Sequence, residues 1–223
     1  MLGKTNAQGV RLRSVIAVTY PAGSICTCGG KAAKDTSGYA LFNVKAGTYT
    51  VECHTSDNGQ SASKSVTITT QGQGEKIELS YDLILYKNGV FSAESGDWVS
   101  LLRATINKYD GYFEIVKSSS DFENRSGFEK AIDLTEYSSL EITCSGKGKG
   151  YGNVLKFGVT DSEMTQYVGI GSNYVGITNP GQDTAWTDAA TYSINIKSIN
   201  KSQYIGIDGK DFDLRVYSII LKR

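Results

Sequence analysis

The segment Asp35-Thr-Ser-Gly-Tyr-Ala-Leu-Phe-Asn-Val-Lys-Ala-Gly-Thr-Tyr-Thr-Val51 indicates the fold class of the chain. Apolar residues recur in it at every second position, namely Ala40, Phe42 and Val44, then Tyr49 and Val51. This period of two is that of a β-strand with one buried face. Gly38 and Gly47 stand where the backbone must reverse, because glycine reaches positive φ without a Cβ clash. The segment therefore predicts two strands whose apolar face meets a second sheet.

The same pattern extends along the N-terminal part of the chain. Turn residues separate short runs about every 8 to 12 residues, which is the spacing of a β-sandwich. Asp57-Asn58-Gly59 is a strong hairpin signal. Seven strands are predicted, which make a small Ig-like sandwich: Ser14 to Tyr20, Ser24 to Cys28, Lys31 to Asp35, Tyr39 to Val44, Thr48 to His54, Ser61 to Thr69 and Glu75 to Tyr81.

Longer strands follow after Asn88-Gly89, in a number typical of a jelly roll. They are predicted at Asp97 to Ile106, Tyr112 to Lys117, Arg125 to Asp133, Ser139 to Ser145, Val154 to Thr160, Tyr167 to Gly171, Ala190 to Ile199, Gln203 to Asp208 and Asp213 to Lys222. Strict alternation in the last strand puts Leu214, Val216, Ser218, Ile220 and Lys222 on one side and Arg215, Tyr217, Ile219 and Leu221 on the other. The fold class is all-β.

Length and composition predict three segments. The 223 residues exceed the usual single-domain size of roughly 100 to 150, so two compact units are expected. We expect a flexible N-terminal segment at 1–13, a small sandwich at 14–82 and a larger jelly-roll sandwich at 83–223. No Pro- or Ser-rich linker separates the two sandwiches, so stiff coupling is expected.

Parts of the sequence resemble three known families. Asp35 to Val51 resembles the carboxypeptidase regulatory-like, or transthyretin-like, β-sandwich, a spacer module without enzymatic activity. Ala131 to Ile142 and Ser202 to Ile207 resemble carbohydrate-binding-module-like jelly rolls. The module order, with Gly-Lys-Thr-Asn-Ala-Gln at 3–8, resembles receptor-binding-like tail or baseplate proteins of phages and prophages of Gram-positive hosts. That resemblance implies structural attachment, with the jelly roll presented to a host-surface polysaccharide.

Charge and hydropathy exclude several classes of partner. Lys plus Arg equals Asp plus Glu at 23 each, so bulk charge does not favour nucleic acid. No apolar run reaches the roughly 18 residues of a membrane helix, so no membrane insertion is expected. Residues 1–13 lack the apolar run of a signal peptide. The resemblance to tail proteins implies the virion tail as the location, with assembly in the bacterial cytoplasm.

The cysteines and the single histidine offer little chemistry. His54 is the only histidine, which removes most general-base catalysis and favours an ordinary strand residue. Without an export signal, free and buried thiols are the favoured state. Two alternatives stay open, a disulfide from Cys26 or Cys28 to Cys53, and a zinc site of these thiols with Cys53 or His54. The spacing Cys-x-Cys is shorter than that of usual zinc knuckles.

Two turns are candidate sites. The loop Lys147 to Gly152 lacks the helix and the Lys-Ser/Thr ending of a phosphate-binding loop, so a mobile turn is predicted. Asp208, Asp211 and Asp213 surround a Gly-Lys turn. A solvated turn is favoured there, calcium binding is the alternative, and carboxylate catalysis is the third reading. No other cofactor and no catalytic residue is predicted.

The preferred ligand loop is the long polar segment between Gly171 and Ala190. Sugar sites combine aromatic platforms with amide and carboxylate groups. The predicted ligand-binding residues are Tyr174, Asn179, Gln182, Asp183, Trp186 and Asp188. Burial in the core is an alternative for Trp186, and it is the favoured reading for Trp98, which begins a strand.

Three functions are compatible with the sequence. The first is a non-enzymatic phage tail or baseplate protein that binds host-surface glycan, contacts other tail subunits and forms a homo-oligomer. The alternative is a bacterial carbohydrate-binding protein unrelated to phage. The third is a polysaccharide depolymerase that uses Asp or Glu.

Overall fold

The computed structural model describes residues 13–56, 60–117, 124–149, 154–164, 174–178, 180–181, 184–209 and 211–223. Over these residues the protein is all-β, as predicted, and contains twenty strands and no helix. Accordingly, no helix in the described part of the chain is long and apolar enough to cross a membrane. The chain divides into two compact units, Met1–Tyr81 and Asp82–Arg223.

The N-terminal unit contains seven strands within its described residues. They are β1 (Ser14–Thr19), β2 (Ile25–Cys28), β3 (Lys31–Ala32), β4 (Tyr39–Val44), β5 (Gly47–His54), β6 (Ser61–Ile68) and β7 (Gly74–Glu78). One sheet has the order β4-β1-β7 and the other β3-β2-β5-β6. This is the predicted seven-stranded sandwich. The tip of the β5–β6 hairpin, where Asp57-Asn58-Gly59 predicts the turn, lies outside the described residues.

The two strands of the opening segment belong to different sheets. β4 pairs with β1, whereas β5 pairs with β2 and β6. Gly47, at φ 153°, stands at the corner between them. The apolar side chains of both strands nevertheless meet in one buried cluster, which includes Phe42 of β4 and Val51 of β5. The predicted apolar face and the second sheet it meets are thus supplied by neighbouring stretches of the same segment.

The C-terminal unit contains thirteen strands within its described residues. They are β8 (Leu83–Lys87), β9 (Val90–Phe91), β10 (Trp98–Leu102), β11 (Ala104–Lys108), β12 (Phe113–Lys117), β13 (Asn124–Phe128), β14 (Ile132–Asp133), β15 (Ser139–Gly148), β16 (Val154–Thr160), β17 (Tyr174–Thr178), β18 (Ala190–Asn195), β19 (Ser202–Gly209) and β20 (Phe212–Lys222). The sheet β10-β13-β19-β16-β17, which β14 joins, is called the β19 sheet. The sheet β11-β12-β20-β15-β18, which β8 and β9 join, is called the β20 sheet.

The strand predictions for this unit were wrong at several places. The predicted strand Asp97 to Ile106 is two strands, β10 and β11, in different sheets, because Arg103 has φ 49° and breaks the extended backbone. The predicted strand Arg125 to Asp133 is likewise divided into β13 and β14. No strand was predicted at β8, β9 or β17. The predicted strand Tyr167 to Gly171 lies outside the described residues.

Strand β20 changes its buried side part-way along. Leu214 and Val216 are buried, and so are Ile219 and Leu221, although strict alternation would put these pairs on opposite sides. The register with β15 shifts between Cys144, opposite Val216, and Thr143, opposite Ser218. This β-bulge adds one residue to β20, so that even-numbered residues point inward before it and odd-numbered residues point inward after it. The predicted strict alternation from Leu214 to Lys222 was therefore wrong.

The two sheets of this unit enclose one apolar core. Trp98 is 2 % exposed, which confirms its predicted core position. Its ring lies 4.9 Å from that of Phe128 and 5.4 Å from that of Phe113, centroid to centroid. Tyr86 packs edge-on against Phe113 at 4.8 Å. Such offset and edge-to-face ring pairs add to the stabilisation from burial alone.

Two glycines make room for a buried methionine. Gly127 of β13 is directly opposite Gly206 of β19, and Met164, which is 1 % exposed, lies against both. A Cβ atom at Gly127 would collide with the end of the Met164 side chain and would lie 2.7 Å from the Ile205 carbonyl oxygen. Backbone atoms of paired strands cannot move aside cheaply, so a side chain at this position overpacks the sheet.

Replacing Gly127 by alanine is expected to destabilise the C-terminal unit. The predicted loss in the free energy of unfolding is about 1–3 kcal/mol, the usual cost of overpacking. Urea unfolding followed by circular dichroism measures it. Gly74→Ala is the matched control, because a Cβ atom there meets nothing within 4 Å. An equal loss in both variants would show that the Met164 contact is not the cause.

Candidate functional site

The outward side of the β20 sheet carries a row of polar and aromatic residues. In the β12–β20 register Phe113 is opposite Val216, and both point into the core. The next pair, Glu114 and Arg215, therefore points outward, because side chains alternate along each strand. Arg215 is in turn opposite Ser145 of β15. Three adjacent strands thus contribute to one row.

Arg215 is the centre of this row. Its Nε donates to Glu114 Oε1 at 2.8 Å, and the side chains are 30 % and 12 % exposed. The guanidinium carbon lies 4.0 Å from the ring centroid of Trp186 and 5.2 Å from that of Tyr112. A guanidinium at these distances is attracted by the ring faces. Arg215 therefore contacts one carboxylate and two aromatic rings at the same time.

Three tyrosines continue the set. The rings of Tyr109 and Tyr112 stack with centroids 5.0 Å apart, and Tyr112 and Tyr217 lie 5.8 Å apart. The Tyr217 and Ser145 hydroxyl oxygens are 3.2 Å apart, at hydrogen-bond distance. The aromatic face is defined here as Tyr109, Tyr112, Glu114, Ser145, Trp186, Arg215 and Tyr217. It combines four rings with hydroxyl and carboxylate oxygens.

Threonine side chains attach the segment that carries Trp186 to β15. The Thr187 amide donates to the Gly146 carbonyl at 2.9 Å, and the Gly146 amide donates to Thr187 Oγ1 at 3.0 Å. The Gly148 amide donates to Thr184 Oγ1 at 3.1 Å. These bonds continue the edge of β15 beyond the beginning of β18, and they place Trp186 above Arg215.

The bulge in β20 occurs at the aromatic face. Val216 and Ser218 are opposite consecutive residues of β15, so Tyr217 is the extra residue between them. Bulges redirect side chains and are frequent beside functional sites. Tyr217 and Arg215 share the outward side here, which brings the Tyr217 ring beside Tyr112.

Two cationic groups on this side of the sheet, those of Arg215 and Lys149, form ion pairs. The hydrogen bond to Glu114 raises the pKa of Arg215, which stays cationic. The charge of Glu114 is also the main cause that raises the pKa of Tyr109, which stays a neutral phenol. The Lys149 Nζ and an Asp213 oxygen are 2.8 Å apart, with Asp213 almost fully buried. Each of these two cationic groups thus has a carboxylate partner.

The structure divides the predicted ligand loop between two sheets. Trp186 is half-buried on the outward side of the β20 sheet, and Asp188 is exposed two residues further on. Tyr174 lies in β17 opposite Gly158, on the outward side of the β19 sheet, with Lys156 Nζ 5.3 Å from its ring centroid. The predicted ligand-binding residues Asn179, Gln182 and Asp183 lie outside the described residues.

Sequence reasoning missed most of the aromatic face. Tyr112 and Glu114 stand two apart in β12, and Arg215 and Tyr217 stand two apart in β20, so each pair could be assigned to one side of its strand. The contact between the pairs depends on the β12–β20 register, which joins segments about a hundred residues apart. No local signal in the sequence specifies that register.

The other candidate sites show ordinary contacts. Asp208 lies 3.7 Å from Arg125, and Asp213 contacts Lys149, so two of the three turn aspartates have cationic neighbours. The part of the chain that the structure describes holds no group of three His, Cys, Asp or Glu residues that could bind a metal ion. The four cysteines are buried and form no disulfide bond. The glycines at 150 and 152 lie outside the described residues.

No family model and no curated protein matches the chain. It is similar to solved structures of family 29 carbohydrate-binding modules. A mutant of the module CBM29-2 has 14 % identity and a TM-score of 0.40, covering 63 % of this chain and 91 % of that chain. A mutant complexed with mannohexaose has 14 % identity and a TM-score of 0.40, covering 63 % and 89 %. At 14 % identity and a TM-score of 0.40, this likeness shows no function for this chain.

Replacing Arg215 by methionine is expected to free the ring of Trp186. Loss of a contact worth about 0.5–2 kcal/mol should make Trp186 more accessible to acrylamide, whereas Trp98 stays in the core. Fluorescence quenching measures the change. Arg125→Met is the matched control, because Arg125 has a carboxylate neighbour on the other sheet. Unchanged quenching in the Arg215 variant would contradict the contact set described above.

Proposed function

We propose that this chain is a non-enzymatic carbohydrate-binding protein whose C-terminal unit binds glycan on the aromatic face. The observation that carries the proposal is the concentration of four aromatic rings around one arginine–glutamate pair, on the outward side of a sheet. Tyr109 is 46 % exposed and the other three rings are half-buried, so ring surface reaches solvent. Core aromatics such as Trp98 have no comparable exposure.

The chemistry of the face suits a sugar. Pyranose rings present apolar C–H faces, which gain from stacking on aromatic rings, and hydroxyl rims, which need hydrogen-bond partners. The rings supply the first kind of contact. The hydroxyl groups of Tyr112 and Tyr217 supply the second, as donors and acceptors beside the rings. Arg215 and Lys149 each have a carboxylate partner already, which favours an uncharged glycan over an anionic one.

The arginine–glutamate pair prepares the face for binding. A ring that is already fixed loses less conformational freedom when a ligand stacks on it. Glu114 fixes Arg215, and Arg215 in turn contacts the rings of Trp186 and Tyr112. In this proposal the pair contributes to affinity mainly by holding the rings, and the rings contribute by contact with the sugar.

The wider role stays a prediction from the sequence resemblance. The aromatic face supports glycan binding and gives no support to a virion, so the bacterial carbohydrate-binding protein becomes the leading interpretation. A phage tail or baseplate origin, contacts with other tail subunits, homo-oligomerisation and a host-surface ligand all remain predictions. Gene neighbourhood separates the two origins, because tail genes or polysaccharide-degrading enzymes would be encoded alongside. Sedimentation of the purified chain tests the oligomer.

Substitutions on the two sheets test the location of the binding site. After a glycan array identifies a bound polysaccharide, Trp186→Ala and Tyr112→Ala should each weaken binding roughly tenfold or more, a loss of about 1.4 kcal/mol or greater. Isothermal titration calorimetry measures the affinity. Tyr174→Ala is the matched control, as it removes an outward ring from the β19 sheet and should leave the affinity within about twofold.

Two results would contradict the proposal. Weakening by Tyr174→Ala alone would move the site to the β19 sheet. An array without any bound glycan, from protein whose circular dichroism shows the β-fold, would remove carbohydrate binding altogether.

The chain is expected to leave polysaccharide intact. Hydrolysis by paired carboxylates needs two of them facing each other at about 5 to 10 Å across a bound sugar, and the aromatic face offers only Glu114, which is bonded to Arg215. Incubation with a bound polysaccharide should release no new reducing ends above a buffer blank. Release that disappears in Glu114→Gln would identify the chain as a depolymerase instead.

A further inference from the structure

Three of the four cysteines lie close together in the N-terminal unit, which has no part in the proposed glycan site. Cys26 and Cys28 lie on β2 and Cys53 lies on β5, and all three point into the same apolar cluster. In the β2–β5 register Cys26 is directly opposite Cys53, whereas Cys28 is opposite Val51. Among these three thiols, only Cys26 and Cys53 are therefore cross-strand neighbours.

The hydrogen bonds of β2 and β5 show which kind of pair this is. Opposed residues in an antiparallel ladder alternate between hydrogen-bonded and non-hydrogen-bonded pairs. The Gly29 amide donates to the Thr50 carbonyl at 2.9 Å, so that pair is hydrogen-bonded. Cys26 and Cys53 are three positions further along, an odd number, which makes them a non-hydrogen-bonded pair.

Bonds on the far sides of both strands agree with this assignment. The Cys26 carbonyl accepts from the Ala33 amide of the segment beyond β3, and so it points away from β5. The Thr55 amide donates to the Gln60 carbonyl, so Thr55 and Gln60 form a hydrogen-bonded pair. Because such pairs recur at every second residue, Cys53 and Ala62 form a hydrogen-bonded pair as well. The backbone groups of Cys53 therefore point toward β6.

The geometry of such a pair fits a disulfide. Non-hydrogen-bonded pairs have Cα atoms about 4.5 Å apart, inside the range of about 4.4–6.8 Å that disulfides span. Both side chains leave the sheet on the same side, since opposed residues share a face. Cys28 is the diagonal neighbour of Cys53, at about 7–8 Å, which is too far for a bond without backbone movement.

We infer that Cys26 and Cys53 are a disulfide site, which closes when the chain folds in the presence of a small-molecule disulfide such as oxidised glutathione. The step forms one bond between the two Sγ atoms and releases both thiol protons. The two electrons go to glutathione disulfide, which is reduced to two glutathione thiols. The bond joins the neighbouring strands β2 and β5 of one sheet, on the side that faces the core of the sandwich.

Burial determines when the bond can form. Cys26 is 1 % and Cys53 0 % exposed. Burial, and then the neighbouring Cys53, raise the pKa of Cys26 to about 11, and burial raises the pKa of Cys53 as well. Because the thiolate is the reactive form, the folded thiols exchange slowly. Oxidation therefore belongs to the folding reaction, and the folded reduced protein should resist the same oxidant.

Peptide mapping tests the site on the full chain. Reduced, unfolded protein is refolded with oxidised glutathione, free thiols are blocked with N-ethylmaleimide, and the protein is digested with trypsin. The expected product links the peptide Ser14–Lys31 to the peptide Ala46–Lys64, with the maleimide label on Cys28. Cys28→Ser should keep the link, and its matched control Cys26→Ser should lose it.

A second measurement follows stability. The bond should lower the unfolded population of the N-terminal unit by about two orders of magnitude in urea, and a reductant should reverse this. A label on Cys26 in the linked peptide, a link that needs Cys28, or free Cys26 and Cys53 after oxidative refolding would each overturn the inference. Because the label position is read on the unmodified chain, the test does not depend on any variant folding.

Discussion

Strand β20 imposes the constraint on which the C-terminal unit depends. It is hydrogen-bonded to β15 along its whole length and to β12 and β8 in succession, so its side-chain alternation sets the inside and outside of the sheet. One extra residue reverses that alternation. The bulge lets Leu214 and Val216, and then Ile219 and Leu221, all reach the core. It also leaves Arg215 and Tyr217 outward and adjacent on the surface, where the aromatic face is assembled.

The sequence was sufficient for the architecture and insufficient for the site, for one physical reason. Period-two alternation and glycine turns are local properties, so the all-β class and the strands β4 and β16 follow from neighbouring residues. Arg103, whose left-handed backbone ends β10, is not a residue type that signals a break. The aromatic face needs the β12–β20 register, which forms between distant segments. Trp186 was found because a tryptophan in a polar loop is conspicuous on its own.

In both units, antiparallel pairing places two reactive or charged side chains opposite each other, with a different result in each. In the C-terminal unit, pairing sets Glu114 opposite Arg215, and the resulting ion pair holds aromatic rings at a surface. In the N-terminal unit, pairing sets Cys26 opposite Cys53 in an interior that water does not reach. A surface pair of charges is worth little alone, and its value here lies in the rings it holds. The buried thiols gain their specificity from register, because a shift of two residues would set Cys28 against Cys53 instead.

The segment that carries Trp186 has a consequence for how this protein can diversify. Its attachment to β15 uses Thr184 and Thr187, whereas no backbone hydrogen bond to another described residue involves Ala185, Trp186 or Asp188. Loops on a rigid scaffold accept change more readily than strands do. A combinatorial library confined to those three positions would change ligand choice while the two sheets beneath it stay intact, much as antibody loops vary over a constant framework.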